Sequence, residues 1–389
     1  MTTFRIAVDA HWLVCWPNSG ISTYLQGLLN GWAHSPENLH VDLLAPFRPA
    51  SPRGDVFLSD PRFQFVYPPR RLNPIASYRA QLYWQQVAIP RLVRSKRPDV
   101  YLSPFHLTPL TLPGIKVVST IHDLCFLAEP RFSRAYWLHS AQLWTACLRA
   151  TRLICISHAT HRALKDWSPT FGSKAIVVHN GFEGQSISEA TARATISRLD
   201  ASLIPRQYLL WVGYPSERKN LQLLFEIFQM HHRRFPTHHF VVVTGKQFHD
   251  QIRALARQAG IEPVLRVWAA DDTMRNALYC CALAFVFPST CEGFGYPALE
   301  AMAQGCPTIA LRGTAMQEFL EGIIPLAPEP TAAAFIEALS TLFTHSETQQ
   351  AGLQKKLIDR AGQFSSPVMA GKTLEILREA SASNNLKAR

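Results

Sequence analysis

Short apolar runs rich in β-branched residues recur along the first half of the chain, at positions 4–8, 41–45, 63–67, 99–103, 116–121, 152–157 and 174–178. Their length and the turn-forming residues between them predict strands buried on both faces. Between several of them apolar positions recur every three or four residues, which predicts helices over 21–32, 76–94, 135–150 and 160–167. Strand alternating with helix predicts a largely parallel, doubly wound sheet. Positions 45–74 are richer in Pro, Arg and Ser, and read as long loops around an edge strand.

After the turn signal His179-Asn180-Gly181 and a polar stretch, the alternation starts afresh, with strands expected at 208–213, 240–245, 264–269, 283–288 and 307–311. A chain of 389 residues has room for two domains. The pattern therefore predicts two Rossmann-like doubly wound α/β domains, 1–183 and 184–366, facing a central cleft. A helical segment, 367–389, can cross back to the first. Folds of this kind bind ligands outside the carboxyl ends of their strands.

Composition narrows the picture. With 47% hydrophobic and 17% charged residues the chain has ample core material. Asp9 and His11 interrupt the apolar start, so no export signal is expected, and the densest apolar run, 280–287, falls far short of the ~20 residues of a membrane span. The eight cysteines form no Cys-x-x-Cys pair, and read as free, mostly buried thiols in a reducing cytosol. The net charge of +11 is uneven: positions 1–180 hold 19 Lys/Arg against 9 Asp/Glu. Such a half suits nucleic acid, an anionic membrane surface, a phosphorylated substrate or simply solvent. Within it, 70–97 mixes Arg and Lys with Tyr78, Tyr83 and Trp84 on an expected helix. That helix could lie on an anionic leaflet, meet a lipid-diphosphate acceptor, or turn its aromatics into the core.

The strongest chemical signal is PSTCEGFGYPALEAMAQGCPTIA, 288–310, which runs from a buried strand through a Gly-rich loop into a helix. Gly293 and Gly295 permit close backbone approach, so the amides around Phe294 and Tyr296 can face an anion at the positive end of that helix. Glu292 lies in the loop and Glu300, eight positions on, in the helix. The string resembles the signature of family 4 glycosyltransferases, a Glu, seven residues and a second Glu in an EGFG-x-P-x-x-E-AMA context. The resemblance implies the GT-B fold and transfer with retention. It places Glu292 beside the donor sugar and gives Glu300 the nucleotide ribose.

Further matches follow. VGYPSERKNL, 212–221, is similar to the family's VG-x-x-x-x-RKN-L, which implies that Gly213 opens the donor loop and that Arg218 and Lys219 bind the donor pyrophosphate. Many relatives carry Arg where this chain has Tyr214. STIHDL, 119–124, ends an expected strand, and the resemblance gives His122 the donor sugar near the reacting carbon, while Asp123 fixes the loop. Gly20 and Tyr24 match the family's glycine-rich loop, which approaches the donor phosphates and the acceptor, although Ser22 stands where Gly is common; the resemblance thus makes 1–183 the acceptor side and 184–366 the nucleotide-sugar-binding domain. Trp268 is a candidate base contact, beside the reading that it is a core residue.

No Asp-x-Asp occurs, and two side-chain cations can do what a metal does elsewhere, so no metal and no cofactor are expected beyond the nucleotide diphosphate-sugar co-substrate. Within the family, RKN-L together with IHDL looks most like bacterial mannosyl- and rhamnosyltransferases of surface-polysaccharide synthesis. That implies GDP-mannose as donor and a saccharide or lipid-linked saccharide as acceptor, in the cytoplasm or at the inner face of its membrane. UDP-glucose, UDP-galactose and dTDP-rhamnose would use the same contacts. A sugar-nucleotide epimerase, a phosphorylase and a non-catalytic sugar-nucleotide-binding protein stay open on the fold alone. A dinucleotide enzyme is disfavoured because neither half has a complete Gly-x-Gly-x-x-Gly, and nucleic-acid binding explains the charge but none of the motifs.

Overall fold

The computed structural model describes residues 3–48, 55–70, 73–75, 77–128, 133–184 and 186–383. Two compact units emerge, one built from Met1–Glu183 with Phe364–Arg389, the other from Gly184–Gln363. The second unit thus ends at Gln363, not at 366, because Phe364 pairs its carbonyl with the Phe182 amide at 2.8 Å and Ser366 begins a helix of the first unit.

The first unit holds strands β1 (Phe4–Asp9), β2 (Leu39–Leu44), β3 (Phe63–Val66), β4 (Val100–Ser103), β5 (Lys116–Ile121), β6 (Arg152–Cys155) and β7 (Ala175–Val177). They pair in the order β3-β2-β1-β4-β5-β6-β7, all parallel. Ile6 lies opposite both Val41 and Val100, so the strand order reverses beside β1. The second unit holds β8 (Tyr208–Val212), β9 (His239–Val243), β10 (Leu265–Trp268), β11 (Ala284–Phe287) and β12 (Thr308–Ala310), in the order β10-β9-β8-β11-β12. Its reversal lies between β8 and β11, every residue of which is buried. Loops leaving the carboxyl ends of strands beside such a reversal diverge and leave room for a ligand.

The helix Gly20–Ala33 starts at Ser19, whose hydroxyl accepts from the Ser22 amide, and buries Tyr24, Leu25, Leu28, Leu29 and Trp32. Against it lies the helix Ser366–Ala382, whose Met369, Leu374, Ile376 and Leu377 join one core cluster with Ile6, Val8 and Tyr24. Trp32 donates its indole N–H to the Ala370 carbonyl at 3.0 Å. The two helices touch closely at a glycine, since a Cβ on Gly31 would stand 2.6 Å from the Ala370 Cβ and 2.8 Å from the Ser366 carbonyl oxygen.

The expected helix 76–94 runs as Tyr78–Tyr83, a π turn Trp84–Ala88, and Ile89–Lys96; Ala76 lies outside the described residues. Pro90 has no N–H to give and its ring crowds the preceding turn, which accounts for the wider turn before it. Trp84 is fully buried, whereas Tyr78, Leu82 and Tyr83 are exposed, so only one of the three aromatics enters the core. The short helix His11–Cys15 was not foreseen. Among the described residues no helix is long and apolar enough to cross a membrane. Six cysteines, Cys15, Cys147, Cys155, Cys280, Cys281 and Cys306, are free and buried; Cys125 and Cys291 do not share that state.

Gly31→Val should drive a side chain into the Ser366–Ala382 helix and cost about 2 to 3 kcal/mol of stability in denaturant unfolding. Gly20→Ala, whose Cβ would meet nothing within 4 Å, should change it by less than about 0.5 kcal/mol. Equal effects of the two substitutions would contradict this helix pairing.

Candidate functional site

The loop after β8 passes Gly213 into a turn, Glu217–Lys219, and then into the helix Leu221–Arg234. Asn220 takes the left-handed conformation there, φ 50°, and its side chain caps the helix by accepting from the Leu223 amide. The loop after β11 runs from Pro288 to Gly295 and into the helix Tyr296–Ala303. Because β8 and β11 are neighbours, the two loops lie side by side, joined by the Thr290 amide donating to the Arg218 carbonyl at 2.9 Å.

Three charges meet where they touch. Arg218 donates to Glu292 Oε2 at 2.8 Å and to the Cys291 carbonyl at 3.2 Å, and Lys219 Nζ lies 2.6 Å from Glu292 Oε1. The Lys219 ammonium also sits over the Phe287 ring, 4.4 Å from its centre. Burial holds the Lys219 pKa below the usual lysine range, and the Glu292 carboxylate opposes that shift. The side chains of Lys219 and Glu292 are 11% and 8% exposed, that of Arg218 39%. Two cations on one carboxylate leave a net positive charge whose more exposed side is Arg218.

Glu300 sits apart from this triad. Tyr279 donates its hydroxyl to Glu300 Oε2 at 3.2 Å, and Arg275 Nε lies 3.1 Å from the same oxygen while its other end reaches Asp272 at 3.1 Å. Burial pushes the Glu300 carboxyl up and Arg275 pulls it back. Gly295 is left-handed, φ 97°, and a Cβ there would stand 2.6 Å from Met316 Sδ, so both conformation and space demand glycine. Phe294 is buried against Phe319 and Tyr296, rings 5.3 and 5.4 Å away, so its side chain plugs the core and only its backbone is left for a ligand. Gly293 is buried and Tyr296 half-buried. Gly213 continues the β8–β9 ladder by donating to the Val243 carbonyl. Trp268, half-buried at the end of β10, is separated from β11 by β9 and β8, and is not brought to Glu292.

In the first unit His122 follows β5. Its Nε2 lies 2.7 Å from the Pro104 carbonyl, which can only accept, so that nitrogen carries the proton and Nδ1 keeps the lone pair. Tyr24 meets the ring edge-on at 5.0 Å, and the Thr160 hydroxyl donates to the His122 carbonyl at 3.3 Å. Burial pushes His122 down to about 4, so it is a neutral imidazole at pH 7. Asp123 accepts from the Cys125 amide, a loop-fixing bond. Gly20 is the exposed first residue of its helix, with open space around it.

Sequence reasoning missed Phe287 beneath Lys219, and Arg275 with Tyr279 around Glu300. Arg275 and Tyr279 stand four apart on the helix Asp272–Cys281, a spacing that puts both on one face. It also missed the Asp9–His11 pair, 2.7 Å apart and fully buried at the end of β1.

The model of the family described as "Glycosyltransferase Family 4" matches residues 18–184, and that described as "Glycosyl transferases group 1" matches 206–345. A serotype-specific mannosyltransferase WbdA of Escherichia coli is 24% identical over 219 residues, 53% of this chain but 26% of its own length. The chain thus spans about a quarter of that relative. O-antigen chain mannosyltransferase B of Escherichia coli is 29% identical over 135 residues, 34% of this chain and 35% of its own. Among solved structures, Anabaena Alr3699/HepE in complex with UDP and glucose superposes with a TM-score of 0.71 over 97% of this chain and all of its own, at 16% identity. That likeness establishes the fold.

The buried histidines make a pH test of these surroundings. His106, His122 and His231 are pushed from 6.5 down to about 3, 4 and 3, each chiefly by burial. Between 6.5 and those values the unfolded chain binds protons that the folded one refuses, so stability falls as the pH drops through that window. His122 alone should account for on the order of 2 to 3 kcal/mol at pH 4. Urea unfolding of wild type and His122→Gln from pH 7 to 4 should show a shallower decline for the variant; identical declines would contradict the buried neutral state.

Proposed function

The chain belongs to the family 4, group 1 glycosyltransferases, and from that premise we propose that it moves a mannosyl residue from GDP-mannose to a saccharide or lipid-linked saccharide acceptor in surface-polysaccharide synthesis. The observation that carries the reading is the clasp of Arg218 and Lys219 on Glu292, at the strand-order reversal between β8 and β11. A nucleoside diphosphate brings the anion that can take over both cations. The mannosyl assignment is supported by the names of the curated relatives and by the RKN-L and IHDL strings.

In this reading the diphosphate takes over Arg218 and Lys219, which frees the Glu292 carboxylate for the hydroxyls of the donor sugar. Glu300, fixed by Tyr279 and Arg275, accepts from the ribose hydroxyls. The loop amides around Gly293, Phe294 and Gly295 and the start of the helix Tyr296–Ala303 add donors to the phosphate. As the bond from the anomeric carbon to the phosphate oxygen breaks, its electron pair leaves with the diphosphate, onto which both cations draw charge. The acceptor hydroxyl forms the new bond on the same face and gives its proton to the departing phosphate oxygen, which retains the anomeric configuration. Arg218 and Lys219 supply the charge that a divalent ion supplies elsewhere, so the reaction runs without one. In the first unit His122, a neutral imidazole, keeps an Nδ1 lone pair that can accept from a sugar hydroxyl. Exposed Tyr78, Leu82 and Tyr83 beside Arg79 and Arg91 support contact with an anionic leaflet, where a lipid-linked acceptor would lie.

Calorimetry in excess EDTA should record GDP-mannose binding to the wild type, weakened about a hundredfold by Lys219→Ala and by Glu300→Ala. Binding that needs a divalent ion, or that both variants retain, would overturn the site and its chemistry. Glu292→Gln makes a sharper case. It should bind GDP several-fold more tightly, since the cations lose their internal counter-ion, while transfer falls at least about a hundredfold. Weaker GDP binding by this variant would show that Glu292 supports the cations' placement more than it competes for them.

A further inference from the structure

The second unit has a cavity at the edge of its sheet remote from the triad. Residues that lead into four adjacent strands line it: Arg206 precedes β8, His238 β9, Leu283 β11 and Pro307 β12, so the cavity lies at their amino ends. Arg218, Lys219 and Glu292 instead follow the carboxyl ends of β8 and β11. Strands of four or five residues put roughly 15 Å between the two edges, so a small molecule in the cavity does not touch the triad.

The cavity holds about 280 Å³, near the lower end of small-molecule sites, and its walls are mostly apolar. Phe235, at the end of the helix Leu221–Arg234, stacks on Phe343 with ring centres 4.5 Å apart and planes at 21°, and it also meets the His238 ring at 4.9 Å. Leu342 and Leu353, both buried, extend the apolar lining. Phe343 stays exposed despite its stacking, so apolar ring surface is left open at the cavity.

The fixed positive charge in this lining is Arg206, which is half-buried. Its backbone is left-handed, φ 64°, a conformation that residues with a side chain adopt rarely and that the surroundings must hold. They hold it at two points, since its amide donates to the Cys281 carbonyl at 2.8 Å and its Nη1 to the Ala282 carbonyl at 3.1 Å, at the end of the helix Asp272–Cys281. That anchoring fixes the guanidinium and leaves most of its N–H donors unspent. Among the described residues it meets no carboxylate, and no acidic side chain lines the cavity. We propose that the cavity binds a small monocarboxylate with an apolar body, the carboxylate on the free fork of Arg206 and the body against Phe235, Phe343 and the two leucines. A planar fork matches a carboxylate edge, and one cation in an apolar lining compensates one negative charge where a phosphate dianion would keep a second uncompensated. The inference is independent of the sugar-transfer reading, because no residue of the triad takes part in it.

The test uses the full chain with phenylbutyrate as the probe, and phenylbutanol and butyrate as controls that remove the charge and the body in turn. Calorimetry should record phenylbutyrate binding at least about tenfold tighter than either control. Arg206→Gln should weaken the probe at least about tenfold and leave phenylbutanol unchanged. Arg206 also holds the end of a helix, so if its variant unfolds, Phe343→Ala, which removes an exposed ring, decides: the probe should bind several-fold more weakly with the melting temperature unchanged. Lys219→Ala should leave probe binding as it is. No binding to the wild type, equal affinity for phenylbutyrate and phenylbutanol, undiminished binding in Phe343→Ala, or binding that Lys219→Ala abolishes and Arg206→Gln leaves intact, overturns the cavity as a carboxylate site.

Discussion

The candidate site depends on one buried carboxylate held between two cations. Lys219 is nearly out of water, and an unpaired ammonium there would be destabilising by several kcal/mol. Glu292 makes the charge tenable, and the Phe287 ring adds a second favourable face. The pair cannot be formed by either loop alone. It needs β8 and β11 to be neighbours, which the strand order of the second unit provides, and it needs the Thr290–Arg218 bond that keeps the loops in register. The strand order thus holds two cations against one carboxylate at the strand-order reversal of the second unit.

The first unit shows a comparable economy. Asp9 closes the turn after β1, Pro104 orients His122 through one hydrogen bond, and Tyr24 braces the imidazole from the helix Gly20–Ala33. That helix is itself held by the last helix of the chain, through Trp32 and the close approach at Gly31. A segment that follows the second unit in sequence therefore completes the core of the first.

Much of this was legible in the sequence. Among the described residues all twelve strands coincide with the apolar runs that predicted them, because strands of a covered parallel sheet are buried on both faces and leave an unmixed signal. The Glu292 and Glu300 spacing and the Arg218-Lys219 pair announced themselves as strings, and the fold brings Glu292 to both cations. What stayed hidden depends on long-range pairing or on local geometry. Phe287 reads simply as core until Lys219 folds over it, and Arg275 and Tyr279 look like surface and core residues of an unrelated helix. The π turn follows from Pro90 only once the helix continues past it. The His11–Cys15 helix is too short for periodicity to register.

We propose the clasp of Arg218 and Lys219 on Glu292 as a diphosphate site. Its most direct measurement compares the affinities of GDP, UDP and dTDP with those of guanosine, uridine and thymidine for the wild-type protein by calorimetry. At least one diphosphate should bind, with its nucleoside at least about a hundredfold weaker, since two charge-assisted contacts are lost. A nucleoside that binds as tightly as its diphosphate would contradict it.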